Sequence, residues 1–169
     1  MKTTSQAMVN LIKTFEGYRA NAYRCPAGVW TIGYGTTRIN GNPVKAGDVC
    51  DPVLAESYLR ADLASFEKEV NAMPNVDNLM QKQFDALICF AYNVGTANFK
   101  RSTLRRKVIA NPYDHTIAKE FCKWKYATVN GEKKVLAGLL RRRATEAAWY
   151  TFGVEWSNRV KDVIAWAQS

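Results

Sequence analysis

The run "LMQKQFDALICFAYNVG", Leu79 to Gly95, restricts the fold of this chain more than any other stretch. Phe84, Leu87, Ile88 and Ala91 recur with a helical period, and the residues between them leave the segment apolar almost all round. A helix of that kind has no face to give to water, so other elements must surround it. Gly95 marks its end. A chain of 169 residues can supply those surroundings, because a domain of this size buries roughly 68–70% of its unfolded surface without help from disulfides or metals.

Helices are expected on both sides of this centre. Met8, Leu11, Ile12 and Phe15 fall at i, i+3, i+4 and i+7, giving a helix that begins at Thr4 or Ser5 and stops near Gly17. "DPVLAESYLRADLASFEKEVNAM" opens with Asp51 as N-cap and Pro52 at the first helical position, and its stripe of Leu54, Tyr58, Leu59, Leu63, Phe66 and Val70 predicts one long helix able to link two lobes. "STLRRKVIA", "DHTIAKEFCKWKY", "RRRATEAAWYTF" and "WSNRVKDVIAWAQ" read as later helices, with "VNGEKK" as a separator. Between residues 17 and 50, "NAYR" and "VWTIGYG" read as strands joined by the turn "CPAG", with a further turn at "NGNP". The predicted class is α+β in one domain: a sheet lobe over about 17–50, a linking helix over about 51–72, and a helical lobe over about 73–169 that includes the N-terminal helix.

The formal charge is +9, from 24 basic and 15 acidic residues, which favours an anionic partner such as nucleic acid, a membrane surface or cell wall. No RNA-binding sheet signature or helix-turn-helix accompanies it, so nucleic acid is not expected. No run approaches a membrane span, and the start lacks the features of a signal peptide, which points to synthesis in the cytoplasm without stable membrane insertion. Cys25, Cys50, Cys89 and Cys122 form no CxxC pair, and His115 is the single histidine, so no metal, cofactor or disulfide framework is expected. Cys89 and Cys122 read as small core residues.

One constellation remains. By strand parity Thr31 shares a face with Val29 and Gly33, away from Trp30, Ile32 and Tyr34, so Tyr34 is expected to pack with Trp30 and Ile32. The folded-back turn brings Cys25 beside Thr31. Glu16 ends a helix, where the partial negative charge of the C-terminus favours a protonated carboxyl.

Glu16, eight intervening residues, Cys25, five more and Thr31 resemble the catalytic signature of phage-type lysozymes, glycoside hydrolase family 24, in the variant with Cys at the middle position. "EGYRANAY", "WTIGYGTT", "QKQFDALICFAYNVG", "STLRRKV" and "GLLRRRATEAAWY" resemble further family elements, and the similarity runs from about Met8 to Phe152. It implies a lysozyme-like fold and hydrolysis of the β-1,4 bond between N-acetylmuramic acid and N-acetylglucosamine in peptidoglycan, with Glu16 as acid and Cys25 and Thr31 holding the attacking water. It further implies that Tyr23, Gly33, Gly35, Asn93 and Val94 border the saccharide, and that an arginine, Arg142 or Arg143, comes near the acid. An endolysin of this kind is a monomer that accumulates in the host cytoplasm and reaches the wall through a phage holin. Three other readings compete: a lytic transglycosylase cutting the same bond without water, a cysteine peptidase pairing Cys25 with His115, and a non-enzymatic basic module that binds walls or disrupts membranes.

Overall fold

The computed structural model describes residues 1–129 and 131–168. In chain order the elements are α1 (Gln6–Glu16), β1 (Arg19–Arg24), β2 (Trp30–Gly33), β3 (Arg38–Ile39), β4 (Asn42–Pro43) and α2 (Pro52–Asn71), then a 3-10 turn (Val76–Asn78) and α3 (Gln81–Val94). They continue with α4 (Thr96–Arg101), α5 (Thr103–Ala110), α6 (Ile117–Cys122), β5 (Tyr126–Val129), β6 (Glu132–Val135), α7 (Ala137–Phe152), a second 3-10 segment (Gly153–Arg159) and α8 (Val160–Gln168). Contacts divide the chain into two compact units, Gln6–Ser65 and Met1–Ser5 with Phe66–Ser169, the division falling inside α2. The N-terminal helix, expected with the helical lobe, belongs with the hairpins. Lys13 and Gln6 on α1 both reach Glu56 on α2, at 2.8 and 3.1 Å, and this ties α1 to its own unit.

In the Gln6–Ser65 unit the expected single sheet is two separate antiparallel pairs, β1–β2 and β3–β4. β1 carries an irregularity between Arg19 and Tyr23 where it leaves β2. There Ala22 N–H donates to Asp48 O and Cys50 N–H to Ala20 O, so the bulged stretch satisfies its backbone on the segment before α2. The β3–β4 turn is Asn40–Gly41, both at positive φ, the geometry a two-residue hairpin demands. Asp51 caps α2 through Leu54 N–H at 2.7 Å, ahead of Pro52. Along α2, Ala55, Leu59 and Leu63 are buried, whereas Leu54, placed by periodicity on the apolar stripe, is exposed.

In the second unit α3 is central. Every residue from Gln83 to Ala91 is buried, and the Phe90 ring meets Phe99, Phe121 and Trp124 edge-on at centroid distances of 6.5, 5.4 and 5.4 Å. α7 packs against α3 and is buried without interruption from Arg142 to Tyr150. α8 packs on α7 and α6, and its Val163 is buried.

The structure differs from expectation in three further places. The helix read through "DHTIAKEFCKWKY" ends at Cys122, and the separator "VNGEKK", whose Asn130 lies outside the described residues, falls where a hairpin pairs Tyr126 with Val135 and Val129 with Glu132. The short α4 was not expected. Among the described residues no helix is long and apolar enough to cross a membrane.

Candidate active site

Each side chain of the Glu-Cys-Thr signature lies in the Gln6–Ser65 unit, and local chemistry sets its place. Glu16 is the last residue of α1 and half-buried; the helix closes behind it with Gly17 N–H donating to Lys13 O at 3.0 Å. The chain leaving it is pinned, because the Tyr18 hydroxyl donates to Cys50 O at 2.6 Å and its ring packs on Tyr34 at 5.7 Å. Three residues after Glu16, Arg19 pairs with Gly33 at the end of β2.

Cys25 and Thr31 are brought together by the hairpin. Tyr23 pairs with Thr31 and Arg24 with Trp30, and Cys25 N–H donates to Val29 O at 3.0 Å, one step further along. Tyr23, Cys25 and Thr31 therefore share a face. On the opposite face the Arg24 guanidinium lies over the Trp30 ring at 4.9 Å and donates to Gly28 O. The turn closes by Gly28 N–H donating to Cys25 O at 2.7 Å, with Gly28 at φ 77, a conformation that suits glycine.

This turn does something for the thiol that sequence reasoning missed. Hydrogen bonds from the backbone of Val29 and Ala27 stabilise the thiolate and hold the Cys25 thiol below its ordinary pKa, with a smaller contribution from the Thr31 hydroxyl. The signal was the turn sequence "CPAG" itself: a tight turn aims successive N–H groups inward, making a small anion cradle. Thr31 is buried, and its hydroxyl donates to Val29 O at 3.1 Å, leaving its lone pairs available to accept.

Tyr34 departs from the parity argument. β2 ends at Gly33, and Ile32 N–H and Thr36 N–H each bond the other residue's carbonyl, so Tyr34 sits in a turn beyond the strand. Its ring packs on Tyr18, with the Lys13 ammonium 5.3 Å from its centroid, while Trp30 stacks under Arg24. Gly33 is glycine for packing. A Cβ there would come 3.0 Å from the Ala55 Cβ, and φ is 63. Tyr23 and Gly35 are exposed.

The remaining expected residues lie in the helical unit. Asn93 is exposed near the end of α3, and Val94 O accepts from the Asn98 amide at 2.8 Å. The arginine triplet is not a solvated face. Arg141 is exposed, but Arg142 and Arg143 are buried around Glu146, with Arg142 Nε at 3.3 Å and Arg143 Nη2 at 3.1 Å from its Oε1. Cys89 Sγ, beyond filling core space, donates to the same oxygen at 3.4 Å. His115 faces Asp114 at 4.0 Å, its side chain 91% exposed.

Comparison with known proteins decides the family. The phage lysozyme family model matches residues 13–146. The chain belongs to the phage lysozyme family. An endolysin of Acyrthosiphon pisum secondary endosymbiont phage 1 is 41% identical, over 83% of this chain and 92% of that protein. An endolysin of Bacillus phage B103 is 40% identical over 88% of this chain, which spans only 54% of that longer protein. Among solved structures, the endolysin from Escherichia coli O157:H7 phage FAHEc1 superposes with a TM-score of 0.83 at 38% identity, covering 90% of this chain and 96% of that one. This phage lysozyme is a glycoside hydrolase that degrades peptidoglycan, on the lysozyme-like fold the sequence implied.

Proposed function

We propose that Glu16 protonates the departing glycosidic oxygen while Cys25 and Thr31 hold the water that attacks the anomeric carbon from the opposite face, Cys25 taking its proton, with inversion of configuration. The supporting observation is the Cys25 sulfur in its backbone cradle, across the hairpin from Thr31. A thiol with an ordinary pKa of about 8.5 is only a few per cent ionised at neutral pH and makes a poor base. The cradle raises the thiolate fraction, which lets sulfur do the work of a carboxylate. Thr31 accepts a hydrogen bond from the bound water and orients it, and Cys25 takes the proton. Attack by sulfur on the sugar ranks lower, since a thioglycosyl bond is hard to displace.

Tyr23 and Gly35 are read as sugar-facing in the Gln6–Ser65 unit, and Asn93 and Val94 in the helical unit, the Asn93 amide serving the sugar's acetamido and hydroxyl groups. In the cell, the protein accumulates as a monomer in the host cytoplasm and a phage holin supplies its route to the wall. Lysis should then require holin co-expression.

Product analysis on purified peptidoglycan tests the mechanism. Wild type should release hydrated reducing ends. Glu16→Gln should lose on the order of 10²–10⁴-fold in rate, the usual worth of a positioned acid. Cys25→Asp should retain activity and Cys25→Ser should lose it. Anhydro ends would instead assign a transglycosylase, and an active Glu16→Gln would remove the acid from its role.

A further inference from the structure

A fully buried arginine and a fully buried glutamate on one helix need an explanation that packing does not supply. Arg143 and Glu146 are each 0% exposed, three residues apart on α7. Burying such a pair is seldom a net gain in stability over apolar residues of similar size, so its retention asks what the pair holds in place.

The bonding of Arg143 gives the answer. Its Nη2 donates to Asn93 Oδ1 at 2.7 Å and faces Glu146 Oε1 at 3.1 Å, and the guanidinium lies 5.0 Å from the Phe90 centroid. Its Nε and Nη1 are buried without a hydrogen-bond partner among the described residues. The polar bonding of this guanidinium is thus concentrated on one nitrogen, between a carboxylate behind it and one surface amide in front.

A guanidinium has donors and no acceptor. Asn93 must therefore turn its oxygen toward Arg143, which leaves both N–H bonds of Nδ2 directed elsewhere from an exposed residue. Rotating the amide by half a turn would set donor against donor. We propose that Glu146, acting through Arg143, is a positioning residue that locks the Asn93 amide as a hydrogen-bond donor toward an acceptor oxygen of the saccharide, the carbonyl of an N-acetyl group or a ring hydroxyl. This rests on the reading of Asn93 as a sugar contact. Glu146 supplies the buried countercharge; without it Arg143 loses the partner that fixes its position behind the amide, and Asn93 is free to present either end.

Steady-state kinetics on soluble peptidoglycan oligosaccharides test this with Asn93→Asp, Glu146→Gln and the double variant. Asn93→Asp keeps an acceptor for Arg143 and removes both outward donors. It should raise KM about tenfold, the worth of one good hydrogen bond, with kcat little changed and thermal stability kept. Glu146→Gln should also raise KM several-fold in the wild-type background and add nothing in the Asn93→Asp background, because both changes remove the same donor. In Glu146→Gln the Asn93 side-chain amide resonances should shift in the absence of substrate. Should Glu146→Gln fail to fold, Arg143→Lys, which keeps the charge against Glu146 but not the guanidinium fork, must show the same KM rise and the same non-additivity.

An unchanged KM in Asn93→Asp would end the sugar-contact reading, and this proposal with it. A raised KM in Asn93→Asp, combined with independent, multiplying effects of Glu146→Gln or with unchanged amide resonances, would overturn the positioning role alone and leave the contact standing. Neither result bears on Glu16, whose role is read separately from the products.

Discussion

Cys25 was legible as a member of the signature, but its chemistry was not, since sequence spacing says nothing about where backbone N–H groups point. The backbone of Val29 and Ala27 favours the thiolate, with a lesser contribution from Thr31, so the thiol ionises at a lower pH than an ordinary cysteine. Because the shift is downward, the thiolate persists as pH falls from the alkaline side, and it is lost only when pH passes below the lowered pKa. Cys50, Cys89 and Cys122 are buried, so alkylation of the folded protein reports on Cys25. Its rate against pH should show a midpoint below the ordinary value of about 8.5, and loss of wall-lytic activity should track the modification. Thr31→Val, which removes the hydroxyl's contribution to stabilising the thiolate, should move that midpoint upward. A wild-type midpoint at or above the ordinary value would remove the thiolate from the mechanism. Arg143 and Glu146 teach the complementary lesson. The resemblance singled out Arg142 or Arg143 as a neighbour of the acid, but nothing in the periodicity marked Arg143 and Glu146 as buried, and only the i, i+3 spacing of opposite charges hinted at a pair that could be buried together.

At the scale of elements, those carrying their own start and stop signals were legible. α2 was readable from Asp51 and Pro52, and α3 from its apolar circumference and Gly95. The β5–β6 hairpin was not, because all four residues of β6 are exposed and the alternation that marks a half-buried strand is missing. The signal was there in the glycine-containing stretch "VNGEKK", read only as a separator. What holds α1 to α2 was also invisible, since Glu56 lies off the apolar stripe. Its carboxylate accepts from Lys13 at 2.8 Å and Gln6 at 3.1 Å and pairs with Arg60 at 3.2 Å, and these partners, Lys13 foremost, hold its pKa down to about 2. A carboxyl lowered in the folded state stabilises fully above its unfolded pKa, and that contribution fades as pH falls from the ordinary carboxylate range toward the folded value. The Glu56 side chain is 24% exposed and water screens the pair, so the bare shift overstates the effect, and about 1 kcal/mol is expected. Glu56→Gln should therefore lower the unfolding free energy by about 1 kcal/mol at pH 7. The two proteins should converge in urea titrations repeated near the folded pKa. A difference that persists there would trace to packing rather than charge.

For the whole molecule, the α+β class was readable because its longest periodic segments are helices and its Gly-rich stretch is confined to one region. The grouping of α1 was not, because periodicity shows that a helix has an apolar face and not which neighbours cover it. Net charge is the property that belongs to no element. Of the +9, Arg142 and Arg143 are buried against Glu146, so they do little to attract a distant polymer. Side chains such as Arg101, Arg106, Arg141 and Lys161 are exposed, where an approaching polyanion meets them. Their long-range attraction is screened over about 10 Å at 0.1 M salt and about 3 Å at 1 M. If charge serves to gather the enzyme at an anionic wall, the initial rate of wall lysis at limiting substrate should fall several-fold between about 50 and 500 mM sodium chloride. Cleavage of a short uncharged N-acetylglucosamine oligomer, where the enzyme accepts one, should barely change, because the site chemistry is local. Reversing Arg106 and Lys161 to Glu should flatten the salt dependence on walls and leave the oligomer rate alone. An equal salt dependence on both substrates would place the effect in the site itself and assign the surface charge no part in reaching the wall.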